Sequence, residues 1–185
     1  LIYCVYALNR IGAIANMLDP RSSDSTLIGQ IQEVHSKTLV VLDQCTDKLN
    51  CITEQIELEN VIMLRVVTSM GFPIKQIYYV KTIFDKSIKT RNGYNYLEWE
   101  AFLNSGLGTK IYETDNKAEI PAFILYTGGT TGESKGVLLS NLNVNSVAEQ
   151  YRLVSKEHFR QQTWLTISAP FIAYALVCGL HIPLS

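Results

Sequence analysis

The sequence predicts an α/β fold, a layered and largely parallel sheet flanked by helices. Three observations carry this prediction. Segments with apolar residues at helical spacing alternate with short β-branched runs through the first half of the chain, the order from which parallel sheets are built. Thr38-Leu-Val-Val-Leu-Asp43 has the length and continuity of a buried parallel strand. A second compact apolar strand, Pro121 to Tyr126, passes at once into a loop of glycines and threonines.

Leu1 to Met17 is apolar nearly all round, broken mainly by Asn9 and Arg10, and reads as one buried core helix. Asp19-Pro20 stops it, and Ser22-Ser23-Asp24-Ser25 supplies a turn and a helix N-cap. Leu27, Ile28, Ile31 and Val34 then share a helical face. After the Thr38 strand, Asp47 to Ile56 reads as a helix and Val61 to Val67 as a strand. Between Met70 and Gly108 lie an apolar QIYYV segment, an Arg91-Asn92-Gly93 turn signal and a short helix from Tyr96 to Leu103. The polar stretch Gly106 to Glu119 reads as a surface loop. Beyond the Pro121 strand, Val137 to Leu139 is strand-like, and Ser140 caps a helix with Val144, Val147, Ala148, Tyr151 and Val154 on one side. Thr163 to Ser168 alternates as a strand does, and Pro170 opens a last apolar segment. No repeat or low-complexity tract interrupts this order, so residues 1–185 are expected to form a single partial domain.

Composition excludes several classes of function. The 185 residues carry 17 acidic and 16 basic side chains, a net charge of −1. That is too even for disorder, and it lacks the basic footprint of a nucleic-acid binder. The longest apolar run, Pro170 to Leu180, is about half the length that a bilayer crossing needs. Cys4, Cys45, Cys51 and Cys178 form no CxxC pair and no metal-ligand spacing with His35, His158 or His181. They read as small apolar side chains in a reducing, cytoplasmic setting. LIYCVYAL at the start lacks the basic region of a signal peptide. Leu1 opens inside a helical pattern and Ser185 follows HIPL without a polar tail, so the chain is expected to be a piece of a longer polypeptide.

The chemistry is concentrated in Thr127-Gly-Gly-Thr-Thr-Gly-Glu-Ser-Lys-Gly136. Gly128, Gly129, Gly132 and Gly136 let backbone amides approach an anion closely. Hydroxyls of Thr127, Thr130, Thr131 and Ser134 can donate to phosphate oxygens, and Lys135 adds a mobile positive charge. The residues therefore describe a phosphate-binding loop, with a plain Gly/Thr surface loop as the alternative. A Walker A loop is excluded because Glu133 follows Gly132 and Gly136 follows Lys135, and no G-x-G-x-x-G is present. Gly132-Glu-Ser134-Lys-Gly136 does match the G-x-S-x-G of a nucleophile elbow. An elbow, however, needs a strand running straight into the serine and a helix leaving it. Here Thr127 to Thr131 intervenes before Gly132, and strand-like Val137-Leu-Leu139 follows.

Tyr126-Thr-Gly-Gly-Thr-Thr-Gly-Glu-Ser-Lys-Gly-Val-Leu-Leu-Ser-Asn141 resembles the signature of the adenylate-forming superfamily: acyl-CoA synthetases, luciferases and peptide-synthetase adenylation domains. The family pattern is Y-T-[SG]-G-T-T-G-x-P-K-G-V, followed by a short strand and usually S-H. Ala7-Leu-Asn-Arg-Ile-Gly12-Ala13, running to Asp19-Pro20, resembles the family's upstream helix and turn at a matching distance. The departures are Gly128 where serine is common, Ser134 for proline and Asn141 for histidine. Ala173 also differs, standing in Ala169-Pro170-Phe171-Ile172-Ala173 where a histidine is frequent, and His181 reads as a structural or lining residue rather than its substitute.

The resemblance implies a first step joining a carboxylate to ATP, giving an acyl adenylate and pyrophosphate. A thiol, usually of coenzyme A (CoA), then attacks the adenylate. It implies Thr127, Thr130, Thr131 and Lys135 as polar contacts, with Gly128, Gly129 and Gly132 giving backbone approach and Mg²⁺ assisting. No catalytic nucleophile, base or metal ligand is expected within this chain, and Lys135 stabilises phosphate charge. Family members are much longer, with a catalytic lysine in a mobile C-terminal domain, so the segment alone is expected to be inactive and to self-associate through apolar edges. The lack of Asp or Glu after Glu157 argues against an amino-acid substrate and for a fatty or other simple organic acid. A luciferase-like or carrier-protein-loading enzyme, and a non-catalytic nucleotide-binding module, are the alternatives.

Overall fold

A computed structural model describes residues 1–74, 76, 94–115, 117–128, 134–155 and 163–185. They form two compact units, one of Leu1–Asp19 with Ile111–Ser185 and one of Pro20–Lys110. Each holds a three-stranded sheet with helices, which is the expected α/β class. Most of the QIYYV segment and the Arg91-Asn92-Gly93 turn lie outside the described residues.

In the first unit, helix α1 spans Ile2–Arg10 and strand β1 spans Ala15–Met17. The continuous helix expected to Met17 therefore breaks early. Gly12 takes φ +74°, a left-handed conformation that glycine adopts without a Cβ clash and that ends helices. The Gly12 and Ala13 amides donate back to Asn9 O and Leu8 O, and the chain leaves as a strand. Of α1 only Val5 is fully buried, while Leu1, Ile2, Tyr3 and Tyr6 are exposed. The all-round burial expected for this helix is thus corrected to one narrow face.

Strand β5 is Pro121–Tyr126, with Ala122 to Leu125 buried as its unbroken apolar run requires. It pairs parallel with β1 and antiparallel with β6, Gly136–Ser140, in the order β1-β5-β6. The antiparallel edge departs from a purely parallel sheet. Helix α5, Asn141–Ser155, follows directly. Its start is the expected cap in reciprocal form: Asn143 N donates to Ser140 Oγ at 3.2 Å, and Ser140 N to Asn143 Oδ1 at 2.9 Å. Val144 and Ala148 are buried, but Val147, Tyr151 and Val154 are exposed, so the buried stripe is narrower than expected. Thr163 to Ser168 forms no strand, and Leu165 and Ile167 are exposed. The segment is held instead by Thr166 Oγ1 donating to Gly179 O at 2.5 Å. Gly179 sits in a π-helical turn, Ala175–His181, that runs into Ile182–Leu184. Val5, Met17, Phe123, Leu125, Val144, Leu176, Val177 and Leu180 pack together as this unit's core.

The second unit has helix α2, Asp24–Glu33, capped by Ser23, whose Oγ accepts from Thr26 N at 3.2 Å. Such a cap is worth about 1 kcal/mol. Strands β2 (Thr38–Leu42), β3 (Asn60–Leu64) and β4 (Asn95–Glu98) form an all-parallel sheet in that order, with helix α3 at Thr46–Gln55. Central β3 is buried, with Val61 and Met63 at 0% exposure. Edge β2, expected to be buried, alternates between exposed and half-buried residues. Tyr96 to Glu98, expected to be helical, pairs with β3, and helix α4 begins only at Trp99 (Trp99–Ser105). Val66 and Val67, expected to extend β3, lie in a 3-10 turn.

Candidate functional site

The glycine–threonine loop emerges from the carboxyl end of β5, beside the end of its parallel neighbour β1. Carboxyl ends of parallel strands are where α/β folds present ligand-binding loops. Thr127 and Gly128 begin the loop and Ser134 and Lys135 close it. Gly129, Thr130, Thr131 and Gly132 lie outside the described residues.

The neck of the loop is defined by backbone bonds. Thr127 N donates to Lys135 O at 3.0 Å, directly beyond the Tyr126–Gly136 strand pair. Thr127 Oγ1 lies 3.4 Å from Lys135 N and 3.5 Å from Lys135 O. Gly136 is closely packed: a Cβ there would stand 3.2 Å from Ile124 Cγ2 and 3.3 Å from Tyr126 Cε1, a tight fit that those side chains would have to relieve. By contrast, a Cβ on Gly128 would meet nothing within 4 Å. The space beside the first glycine is open. Lys135 is exposed, and among the described residues its ammonium has no ion-pair partner. A strand, Gly136–Ser140, leaves the loop where a nucleophile elbow would need a helix.

Described donors at the neck suit an anion: amides, hydroxyls and an ammonium, with no carboxylate from Tyr126 to Gly128 or from Ser134 to Gly136. Such donors can stabilise charge developing on a leaving phosphate.

Two further polar clusters carry no short-range signal in the sequence. In the first unit a cavity of about 350 Å³ is lined by Val5, Phe123, Val144, Leu176 and Leu180 on its apolar side. Tyr6, Asn9, Asn141, Asn145 and His181 form its polar side. His181 Nε2 is 2.9 Å from Asn145 Oδ1, and Nδ1 is 3.1 Å from Tyr6 Oη. With Asn145 Oδ1 accepting, Nε2 carries the proton and Tyr6 donates to Nδ1. Burial lowers the His181 pKa and raises that of Tyr6. Asn9 Nδ2 donates to Asn141 Oδ1 at 2.5 Å, tying α1 to the start of α5. His181 thus lines this cavity.

In the second unit, Arg65 and Glu98 meet beyond β3 and within β4. Arg65 Nε and Nη2 donate to Glu98 Oε2 and Oε1 at 2.9 and 2.5 Å, and Tyr96 Oη donates to Glu98 Oε1 at 2.8 Å. The Arg65 guanidinium holds the Glu98 carboxyl below its ordinary value. Burial, then the bond to Glu98, pushes the Tyr96 hydroxyl up. Arg65 and Glu98 offset each other's charge and Tyr96 is bonded to the same carboxylate, so the cluster fits a strand-end brace.

Comparison with known proteins agrees with the loop. The family model described as AMP-binding enzyme matches residues 1–185. A long-chain-fatty-acid–CoA ligase of Salmonella typhimurium is 23% identical over 156 residues, 80% of this chain and 27% of the ligase. A hybrid PKS-NRPS synthetase of Aspergillus niger is 41% identical over 70 residues, 35% of this chain and 2% of that protein. The crystal structure of a Brucella canis acyl-CoA synthetase superposes with a TM-score of 0.68 at 16% identity, covering 99% of this chain and 29% of that one.

Proposed function

The chain belongs to the AMP-binding enzyme family, and on that premise we propose that the protein carrying it activates a carboxylic acid with ATP and passes the acyl group to a thiol. The chain spans about a quarter of the length of the Salmonella ligase it matches, and we take residues 1–185 as part of the larger nucleotide-binding domain. The first step has an electrostatic difficulty, because a carboxylate must approach an α-phosphate that is already anionic. Lys135, the hydroxyls of Thr130 and Thr131, and the backbone at Gly128, Gly129 and Gly132 would hold the β- and γ-phosphates and stabilise departing pyrophosphate. Thr127 belongs to the same loop. Mg²⁺ would arrive on the nucleotide, since the described neck offers no carboxylate to bind a bare cation. None of these residues acts as nucleophile or base.

The observation carrying this reading is the family signature at residues 126–141, with Lys135 exposed and free of any described ion pair at the neck of the loop. A fatty or other simple organic acid is the proposed substrate, supported by the match to long-chain-fatty-acid–CoA ligases. Coenzyme A is the proposed acceptor, and the four free thiols favour a reducing, cytoplasmic setting. Among the described residues no helix is long and apolar enough to cross a membrane. A second reading, an adenylating enzyme that loads a carrier protein, is supported by the 41% identical stretch shared with the hybrid PKS-NRPS synthetase.

The test is ATP–pyrophosphate exchange by the complete polypeptide across a panel of carboxylic acids, followed by transfer to CoA or to a carrier-protein thiol. Acid-dependent exchange establishes adenylation, and the acceptor separates the two readings. Folded protein that binds ATP and exchanges with no acid would leave a nucleotide-binding module.

A further inference from the structure

We infer that the cavity between α1, α5 and the Ala175–His181 turn binds a small uncharged molecule with an apolar body and a carbonyl-type oxygen, separately from the glycine–threonine loop. Position in the fold keeps the two sites apart. Asn141 follows directly on Ser140, which pairs with Pro121 across the sheet, and Leu142 N donates to Ala118 O at 2.6 Å. Asn141 and Ala118 both line the cavity, so it opens beside the amino end of β5. The loop leaves from the other end, after Tyr126. At about 3.3 Å per residue, Thr127 lies roughly 20 Å along the strand from Pro121.

The polar wall holds unused donors. Asn141 and Asn145 stand one turn apart on the same face of α5. Each carboxamide has its oxygen engaged: Asn141 Oδ1 accepts from Asn9 Nδ2 at 2.5 Å, and Asn145 Oδ1 accepts from His181 Nε2 at 2.9 Å. Neither Asn141 Nδ2 nor Asn145 Nδ2 has a partner among the described residues, and each carries two N–H donors. Such donors select an acceptor oxygen. Buried Phe123, Leu176 and Leu180 supply the apolar wall. Among the described lining residues there is no Asp, Glu, Lys or Arg. Burial holds His181 below its ordinary pKa, so its ring is mainly neutral at pH 7. A carboxylate would find no cation here and an ammonium no anion, which makes burying either one costly. The cavity of about 350 Å³ has room for roughly ten water-sized groups at about 30 Å³ each.

This inference does not depend on the adenylation reading. Its test is a saturation-transfer NMR titration of the complete polypeptide, with acetophenone as the probe and benzoate as its charged counterpart. Asn145→Asp keeps the oxygen bonded to His181, and Asn141→Asp keeps the oxygen bonded to Asn9, while each removes both N–H donors. Each should weaken acetophenone binding about tenfold, through one lost hydrogen bond and repulsion between like oxygens. Lys135→Ala, at the far end of the sheet, should leave the affinity unchanged. No transfer to millimolar acetophenone, or an affinity that neither asparagine substitution alters, would overturn the proposal. So would an equal loss in Lys135→Ala, which would make the cavity part of the loop site. Benzoate binding that both asparagine substitutions abolish would overturn the uncharged class of ligand.

Discussion

The two sheets finish their strands in opposite ways. At β3 and β4 of the all-parallel sheet, Arg65 and Glu98 neutralise each other in a two-point ion pair with Tyr96 bonded to the same carboxylate. Beyond β5 of the mixed sheet, the cation is Lys135, exposed and with no described ion-pair partner, and the local bonds run through the backbone. The first arrangement leaves nothing for a ligand to neutralise. The second leaves a cation exposed and without a described ion-pair partner. The stretch that resembles the adenylate-forming signature, Tyr126 to Asn141, falls on the second.

Several measurements would break or sharpen that contrast. The largest stability effect is expected at the centre of the parallel sheet. Met63 is fully buried, so Met63→Ala should cost about 2–5 kcal/mol in urea unfolding; a loss below about 1 kcal/mol would show that this sheet is not the stable element. Lys135→Ala should do the reverse. It should lower pyrophosphate exchange about 100-fold or more, as loss of one transition-state donor does, with stability unchanged within about 0.5 kcal/mol. A marked fall in melting temperature would mean that Lys135 is structural after all.

Smaller effects concern protons. The Glu98 carboxyl titrates below its unfolded value of about 4.3. Its contribution is therefore complete above that pH and is lost as pH falls through the folded value. Because the pair is partly exposed, the contribution is screened to roughly 0.2–1 kcal/mol. Glu98→Gln should lower the melting temperature slightly at neutral pH, and the difference should vanish in acid. A gap that persists at the lowest pH would point to packing rather than charge. The smallest effect is expected at His181, whose folded value lies below about 6.5 through burial. The unfolded chain takes up that proton first, so stability should drift down as pH falls below about 6.5 and level off beneath the folded value. His181→Gln should flatten this drift; an unaltered pH profile would mean that the ring is solvated.

The sequence by itself determined the elements whose causes are local. Pro121 to Tyr126 is a strand with the expected limits because a continuous apolar run ends at a glycine-rich turn. The Ser23 and Ser140 caps hold because the groups they satisfy lie three residues away. The loop was legible through residue types alone, and Lys135 with them. Only the tertiary structure decided the rest. Residues 15–17 became a strand because β5 supplies partners more than 100 residues away, after Gly12 frees the chain from its helix. Thr163 to Ser168 alternates like a strand yet pairs with no strand among the described residues. The exposure of edge β2 and the bond between Tyr6 and His181, 175 residues apart, likewise depend on long-range partners. Caps and periodicity are read within a few residues; strand pairing, burial and the bonding of a hydroxyl are set by whatever the fold brings alongside.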